Sequence, residues 1–260
     1  MCTLTFAWHA FEDYLAVATN RDEMLARPSS SPVVRGDEPR VLAPRDEEAG
    51  GTWVGYNDAG VFVAITNRWT RTPSDGDRSR GLLVRETLDR ETAAAATEFV
   101  RGELSDRTYE PFHLLVADTD RAVLFEHDTA TSETVLAPGV YVIGNTGWCG
   151  VRDGPADATE RQRTETFFVP GRRPDVGRQQ AENDREVLDA LVEAAGIADE
   201  ATAWLDAGAD VLSDHSYGVC VHGDGFGTKS SSLIRLGTTR SYRYADGPPC
   251  ETPYEPAGSL

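Results

Sequence analysis

A chain of 260 residues, 40% hydrophobic and 8% aromatic, can bury a sizeable core, and no apolar run approaches the ~20 residues needed to cross a bilayer. The formal net charge is −18, and of 25 basic residues only Lys229 is a lysine; that balance disfavours nucleic acid and anionic membranes as partners. Cys2, Cys149, Cys220 and Cys250 are scattered without CxxC spacing, which argues against a zinc ribbon or a disulfide framework. With no secretory-type leader at the start, a soluble protein of a reducing cytoplasm is the expectation.

The acidic, lysine-poor composition is read as adaptation to a salt-rich cytosol, where screening makes self-repulsion tolerable. An ordinary acidic protein is the alternative.

Taken in order, the chain starts with two short apolar segments, residues 3–9 and 14–19, whose brief connection predicts a β-hairpin. Cys2 precedes the first strand and Asn20-Arg21-Asp22-Glu23 follows the second. Antiparallel pairing would set the tetrad beside the chain start, with Arg21 and Asp22 flanking Cys2. If Met1 is removed, the Cys2 thiol, with an ordinary pKa of about 8.5, lies next to an α-amine of about 7.7–8.0 that can take its proton. Asp22 could accept a hydrogen bond from the ammonium. The plainer readings are a small packing cysteine and a polar loop.

Residues 26–48, rich in Pro, Ser, Arg and acidic side chains, read as a long surface loop. Strands are predicted over 50–56 and 61–67, joined by the turn Asn57-Asp58-Ala59-Gly60. Asn67 closes the second of them, and Asn145 comes directly after a later strand over 140–143. A strand-end amide suits an oxyanion hole, although turn asparagines are also satisfied locally.

Helical spacing covers 80–104 as two helices meeting near 90–92, and strands return over 112–117, 122–127 and 134–136. A helix is predicted over 156–168, an amphipathic one over 186–195 and a shorter one over 200–205. Strands over 218–222, 230–236 and 239–244 close the domain, and a proline-rich tail from 247 is expected to be loosely ordered. Grouped strands and helices imply an α+β protein with antiparallel sheets, and a four-layer α-β-β-α sandwich fits the order. One domain over 1–246 is expected, with the 247–260 tail beyond it.

Other motifs fail. Gly223-Asp224-Gly225-Phe226-Gly227-Thr228-Lys229-Ser230 puts Thr228 where a phosphate loop needs Lys. His215, Cys220 and His222 could offer metal ligands, but Cys220 and His222 fall on an apolar predicted strand, so packing is preferred and no metal or cofactor is expected. No CxxCH or GxSxG pattern occurs.

Met1-Cys2, Asn20-Arg21-Asp22-Glu23 with Arg27-Pro28, Gly50-Gly51-Thr52-Trp53-Val54-Gly55, Ile65-Thr66-Asn67, Pro138-Gly139-Val140-Tyr141 with Asn145, and Gly227-Thr228-Lys229 with the three serines after it together resemble the NRDE family, which includes Transport and Golgi organisation protein 2. That family is similar to the cysteine N-terminal-nucleophile (Ntn) hydrolases, whose fold is the α-β-β-α sandwich. The resemblance implies Cys2 as nucleophile, Asp22 holding the α-amine, Arg21 orienting the thiolate or substrate, and Asn67 or Asn145 at the oxyanion. Asn20, Glu23 and Trp53 are assigned to substrate binding, with Arg235 as a candidate for the counterpart of the hydrolases' late arginine. The implied activity is amide-bond hydrolysis of a small N-acyl substrate. The alternative is non-catalytic binding or trafficking of haem or another metabolite.

If the acidic surface is a salt adaptation, the chain should lose stability in dilute buffer and regain it in molar KCl, as read by its thermal midpoint; full stability without salt would refute this.

Overall fold

A computed structural model describes residues 2–70, 76–152 and 162–260. The elements begin with β1 (Thr3–Trp8), β2 (Leu15–Met24), β3 (Ser29–Arg35), β4 (Val41–Asp46), β5 (Val54–Asn57) and β6 (Phe62–Asn67). Helices α1 (Arg80–Thr87) and α2 (Ala93–Asp106) lead to β7 (Phe112–Ala117), β8 (Ala122–His127), β9 (Thr131–Leu136), β10 (Gly139–Ile143), β11 (Gly147–Arg152) and β12 (Gln162–Phe167). Then come α3 (Pro174–Ile197), α4 (Ala201–Ser213), a 3-10 turn (His215–Tyr217), β13 (Phe226–Leu236), β14 (Ser241–Ala245) and β15 (Glu255–Pro256).

The chain divides into two compact units, Met1–Leu25 with Ala137–Pro256, and Ala26–Leu136 with Ala257–Leu260. The first holds an eight-stranded sheet in the order β12-β11-β10-β1-β2-β13-β14-β15, every neighbouring pair antiparallel. Its helical layer is α3 and α4. Ala7, Ala16, Ala18, Val140, Val142 and Leu233 of the sheet bury against Val187, Leu188 and Leu191 of α3 and Trp204, Leu205 and Leu212 of α4. The small alanines admit the bulky Trp204, whose indole N–H donates to Leu191 O at 3.0 Å, so the large ring is buried with its polar atom satisfied.

The second unit is a seven-stranded antiparallel sheet in sequential order, β3 to β9, with α1 and α2 packed on it through Leu83, Val84, Leu88, Ala96 and Val100. Asn57, in the predicted turn, donates its side-chain amide to Leu88 O and Arg90 O, both at 2.7 Å, tying the β5–β6 hairpin to the junction of the two helices.

Several expectations are corrected. Residues 26–48 are not one loop but hold the hairpin β3–β4, because Val33, Val34, Val41 and Leu42 supply strand formers and β4 pairs onward with β5. Of the helix predicted over 156–168, residues 156–161 lie outside the described residues, and 162–167 form β12, an edge strand paired with β11. Its Thr164, Thr166 and Phe167 prefer a pleated surface, and a partner strand is on offer. Helix α3 starts twelve residues before the predicted 186, at Pro174, whose fixed φ suits a first helical turn. Residues 218–222 are no strand: only His222 bridges, to Gly227. The tail does not hang free up to residue 256, because β15 pairs with β14 and the Tyr254 and Ser231 hydroxyls lie 2.7 Å apart.

One tight approach at a glycine joins the second unit's sheet to its helices. A Cβ on Gly51 would lie 2.1 Å from the Gly81 backbone carbonyl carbon, where α1 starts and where Thr52 N–H donates to Gly81 O at 3.0 Å. Gly51→Ala should therefore destabilise by about 1–3 kcal/mol. Gly102→Ala, in the exposed interior of α2 with nothing near its Cβ, should stabilise by up to ~1 kcal/mol. Urea denaturation of the two variants checks the contrast.

Candidate active site

Cys2 sits at the end of β1, near the middle of the first unit's sheet, with β10 on one side and β2 on the other. The register sets Thr3 opposite Asn20 and Leu4 opposite Ile143, so the NRDE tetrad and the β10–β11 turn flank the cysteine. The Cys2 backbone N–H donates to Asn145 Oδ1 at 3.0 Å, and its thiol reaches Asp22 O at 3.6 Å. Gln180 of α3 also donates to Asn145 Oδ1, at 3.1 Å, which fixes the rotation of that amide.

Alternation on β2 separates the tetrad into two faces. Asn20 turns toward the helical layer, fully buried, and spends both N–H donors on Leu212 O and Val219 O at 2.9 Å each. Its amide thereby ties β2 to α4 and to the segment before β13. Asp22 is next on the same face, buried, and accepts from the Thr228 hydroxyl at 2.6 Å. Thr228 is itself held by Val221: its hydroxyl accepts from Val221 N–H and its own N–H donates to Val221 O, both at 2.8 Å. Arg21 and Glu23 point the other way, 3.6 Å apart, with Arg21 nearly buried.

Burial is the leading influence on both key groups. It pushes the Cys2 thiol above its ordinary value; the Asp22 charge adds to the rise, while the bond to Asp22 O and the Arg21 charge oppose it. Burial likewise raises the Asp22 carboxyl against the opposing Thr228 hydrogen bond. A thiol so placed is not a spontaneous thiolate and needs a base beside it.

Two of the other expected residues, Asn67 and Trp53, belong to the second unit. Asn67 is exposed at the end of β6, opposite Phe112, and Trp53 is half-buried just before β5, its carbonyl accepting from Ile65 N–H at 2.9 Å. A pocket in that unit, bordered by Arg35, Gly51, Thr52, Arg85 and Asp89, has neither residue in its lining. Arg235 is opposite Ala16, five positions along β2 from Arg21, and its guanidinium reaches Thr202 at 2.9 Å, Thr239 at 2.6 Å and Asp13 at 3.8 Å. Register thus sets it at the opposite end of the β2–β13 pairing from Arg21 and Asp22.

Sequence reading missed two features. Asp184 of α3 is fully buried with no hydrogen-bond partner for its carboxyl oxygens among the described residues. It presses on the turn that carries Asn145: a Cβ at Gly144 would come within 2.2 Å of Asp184 Oδ2. Only its helical position could have hinted at this. The second is a cluster of His215, Cys220, His222 and Cys250, whose potential ligand atoms all lie within 4.8 Å of one another. Cys250 had no signal, being 30 residues from Cys220 in the supposed tail.

Known proteins carry the same frame. The family model described as Transport and Golgi organisation 2 matches residues 1–246. The chain belongs to that family. The human Transport and Golgi organization protein 2 homolog is 26% identical over 237 residues, 85% of this chain and 81% of its own length. The cattle homolog is 30% identical over 139 residues, and the chain spans about half the length of that relative. Among solved structures, penicillin V acylase from Agrobacterium tumefaciens aligns with a TM-score of 0.51 at 10% identity, over 94% of this chain and 83% of its own. A variant of conjugated bile acid hydrolase from Clostridium perfringens gives 0.56 at 11% identity, over 94% and 89%. The N-acylethanolamine-hydrolyzing acid amidase ortholog of Caenorhabditis elegans gives 0.51 at 13% identity, over 90% and 92%. The fold is thus that of the Ntn-type amidohydrolases, the α+β sandwich class expected. Among the described residues no helix is long and apolar enough to cross a membrane.

Burial raises the Asp184 carboxyl from an ordinary 3.8 to about 8. With the folded-state value the higher one, the folded chain holds the proton longer, so the contribution of this group to stability is full below about pH 4 and falls as pH rises toward about 8, by up to about 1.4 kcal/mol per pH unit. Asp184→Asn should flatten that fall and be more stable than the parent at pH 8, as measured by denaturation across this window.

Proposed function

We propose that this protein is a cysteine Ntn-type amidohydrolase that cleaves the carbon–nitrogen bond of a small N-acyl substrate, with Cys2 as nucleophile once Met1 is removed. The observation that carries the reading is the seating of Cys2: main-chain nitrogen on Asn145 at 3.0 Å, thiol against β2 at Asp22, in the middle of the sheet. Membership of the family and a fold shared with acylases and amidases support it.

The chemistry needs a base for the buried thiol. In the mature chain the α-amine of Cys2 takes the thiol proton, directly or through a water, and the sulfur attacks the amide carbonyl carbon. The carbonyl π electrons move to oxygen, giving a tetrahedral oxyanion. As it collapses the C–N bond breaks, and the departing amine takes the proton from the α-ammonium, leaving a thioester. Water, its proton drawn off by the same amine, then releases the acid and restores the thiol. Asp22, positioned by Thr228, stabilises the ammonium through charge. Arg21 counters the thiolate and orients the acyl group, while Asn145 holds the nitrogen in place. Glu23 sets Arg21 by their ion pair.

The test has two readouts. Intact mass of the natively expressed protein should be short by one methionine, and a lactam or activated-amide probe should label Cys2. Cys2→Ala should lower turnover of N-acyl amides by at least ~10³-fold with an unchanged melting curve. Retained Met1, or full activity in Cys2→Ala, would end this reading.

A further inference from the structure

A cluster beside the β2–β13 pairing, where His222 bridges Gly227, is built from four residues distinct from those assigned to the Cys2 chemistry. We propose that His215, Cys220, His222 and Cys250 form a closed, tetrahedral zinc site. His215 Nε2 and His222 Nε2 are 3.3 Å apart, Cys220 Sγ and Cys250 Sγ 3.5 Å, Cys250 Sγ and His222 Nε2 3.1 Å, and Cys220 Sγ and His222 Nε2 3.7 Å. A Zn²⁺ with bonds of about 2.3 Å to sulfur and about 2.0–2.1 Å to nitrogen needs tetrahedral edges of about 3.3 Å between nitrogens, about 3.8 Å between sulfurs and about 3.6 Å between the two kinds. Three of these four separations match to within about 0.3 Å, and all four donors lie within 4.8 Å of one another. For Cys250 and His222 a small retreat is required.

Local structure explains how four residues from two distant segments converge. Gly218, at φ +65°, ends the 3-10 turn and reverses the chain, so His215 faces back toward His222. Cys220 and His222 are two apart and both reach the Cys250 thiol, while Val221 between them is hydrogen-bonded to Thr228. Cys250 arrives from the connection between β14 and β15, where Pro248 O accepts from Glu251 and Thr252 N–H groups at 3.0 and 2.9 Å and fixes a turn.

The donor set chooses the metal. Two sulfurs and two imidazoles in a tetrahedron match Zn²⁺ and not the all-oxygen preference of Mg²⁺ or Ca²⁺. Four protein ligands leave no position for water or substrate, so the site is structural. On binding, each thiol gives its proton to solvent and the ion sheds its waters. The ion would then clamp Val221, which holds Thr228, which donates to Asp22 at 2.6 Å. It would also pin the chain after β14 to the same corner.

The test uses the full-length, untagged protein purified under reducing conditions. Elemental analysis should find one zinc per chain, and after chelation the reduced protein should take up Co²⁺ with the intense visible absorption of a tetrahedral sulfur-ligated ion. Zinc should displace it with a Kd below ~1 µM. His215→Ala and Cys250→Ser should each lower the affinity at least ~100-fold, and if either fails to fold, the cobalt spectrum of the parent decides. Absence of uptake by the fully reduced chain, undiminished affinity in both variants, or a Cys220–Cys250 disulfide that persists in reductant would each overturn the site.

Discussion

The antiparallel pairing of β1 with β2, Thr3 against Asn20, is the constraint on which the rest of the first unit depends. It brings the start of the chain to the middle of an eight-stranded sheet, where a chain terminus is otherwise unusual. Sheet registers are discrete, and a slip by one residue would exchange the faces of Asn20 and Arg21. The fully buried Asn20 amide guards against that slip. Its two donors meet Leu212 O and Val219 O only in one register, and in the other they would be lost from a buried position. The most ordinary letter of the tetrad is therefore the one that fixes the position of the other three.

A chain of support runs outward from that register. Asp22 rests on Thr228, Thr228 on Val221, and Val221 lies between Cys220 and His222. The irregularity in β13 between Thr228 and Ser230 is part of the same device. It displaces Lys229, the chain's single lysine, whose ammonium donates to Leu25 O at 2.8 Å and so closes the far end of β2. On the opposite flank, Gly144 lets the β10–β11 turn descend onto Asp184, and Gln180 sets the Asn145 amide. Helix α3 thus serves the site with two polar side chains while its apolar residues cover the sheet.

The hairpin, the strand-end asparagines and the grouping of strands and helices were legible because each rests on neighbours in sequence: alternation, turn residues and helical spacing. The β3–β4 hairpin was obscured by serine, proline and charge, since an edge strand half-exposed to water can carry such residues. β12 was read as helix because short polar segments have no decisive period, and its pairing with β11 settled the matter. Arg235 was assigned by its place late in the chain, but β13 has eleven residues, and its C-terminal end is far along the strand from the end that meets the tetrad.

By itself the sequence determined the class of fold, the location of the family's motifs and the pairing that sets Cys2 beside Asn20-Arg21-Asp22-Glu23, because all of these arise from short-range patterns. Only the tertiary structure decided that the Asn20 amide is tied to Leu212 O and Val219 O, that Asp184 is a buried acid beneath the Asn145 turn, and that Cys250 meets His215, Cys220 and His222. Each of these depends on contacts between segments tens of residues apart, and burial, charge and metal geometry are properties of such contacts and not of the letters that make them.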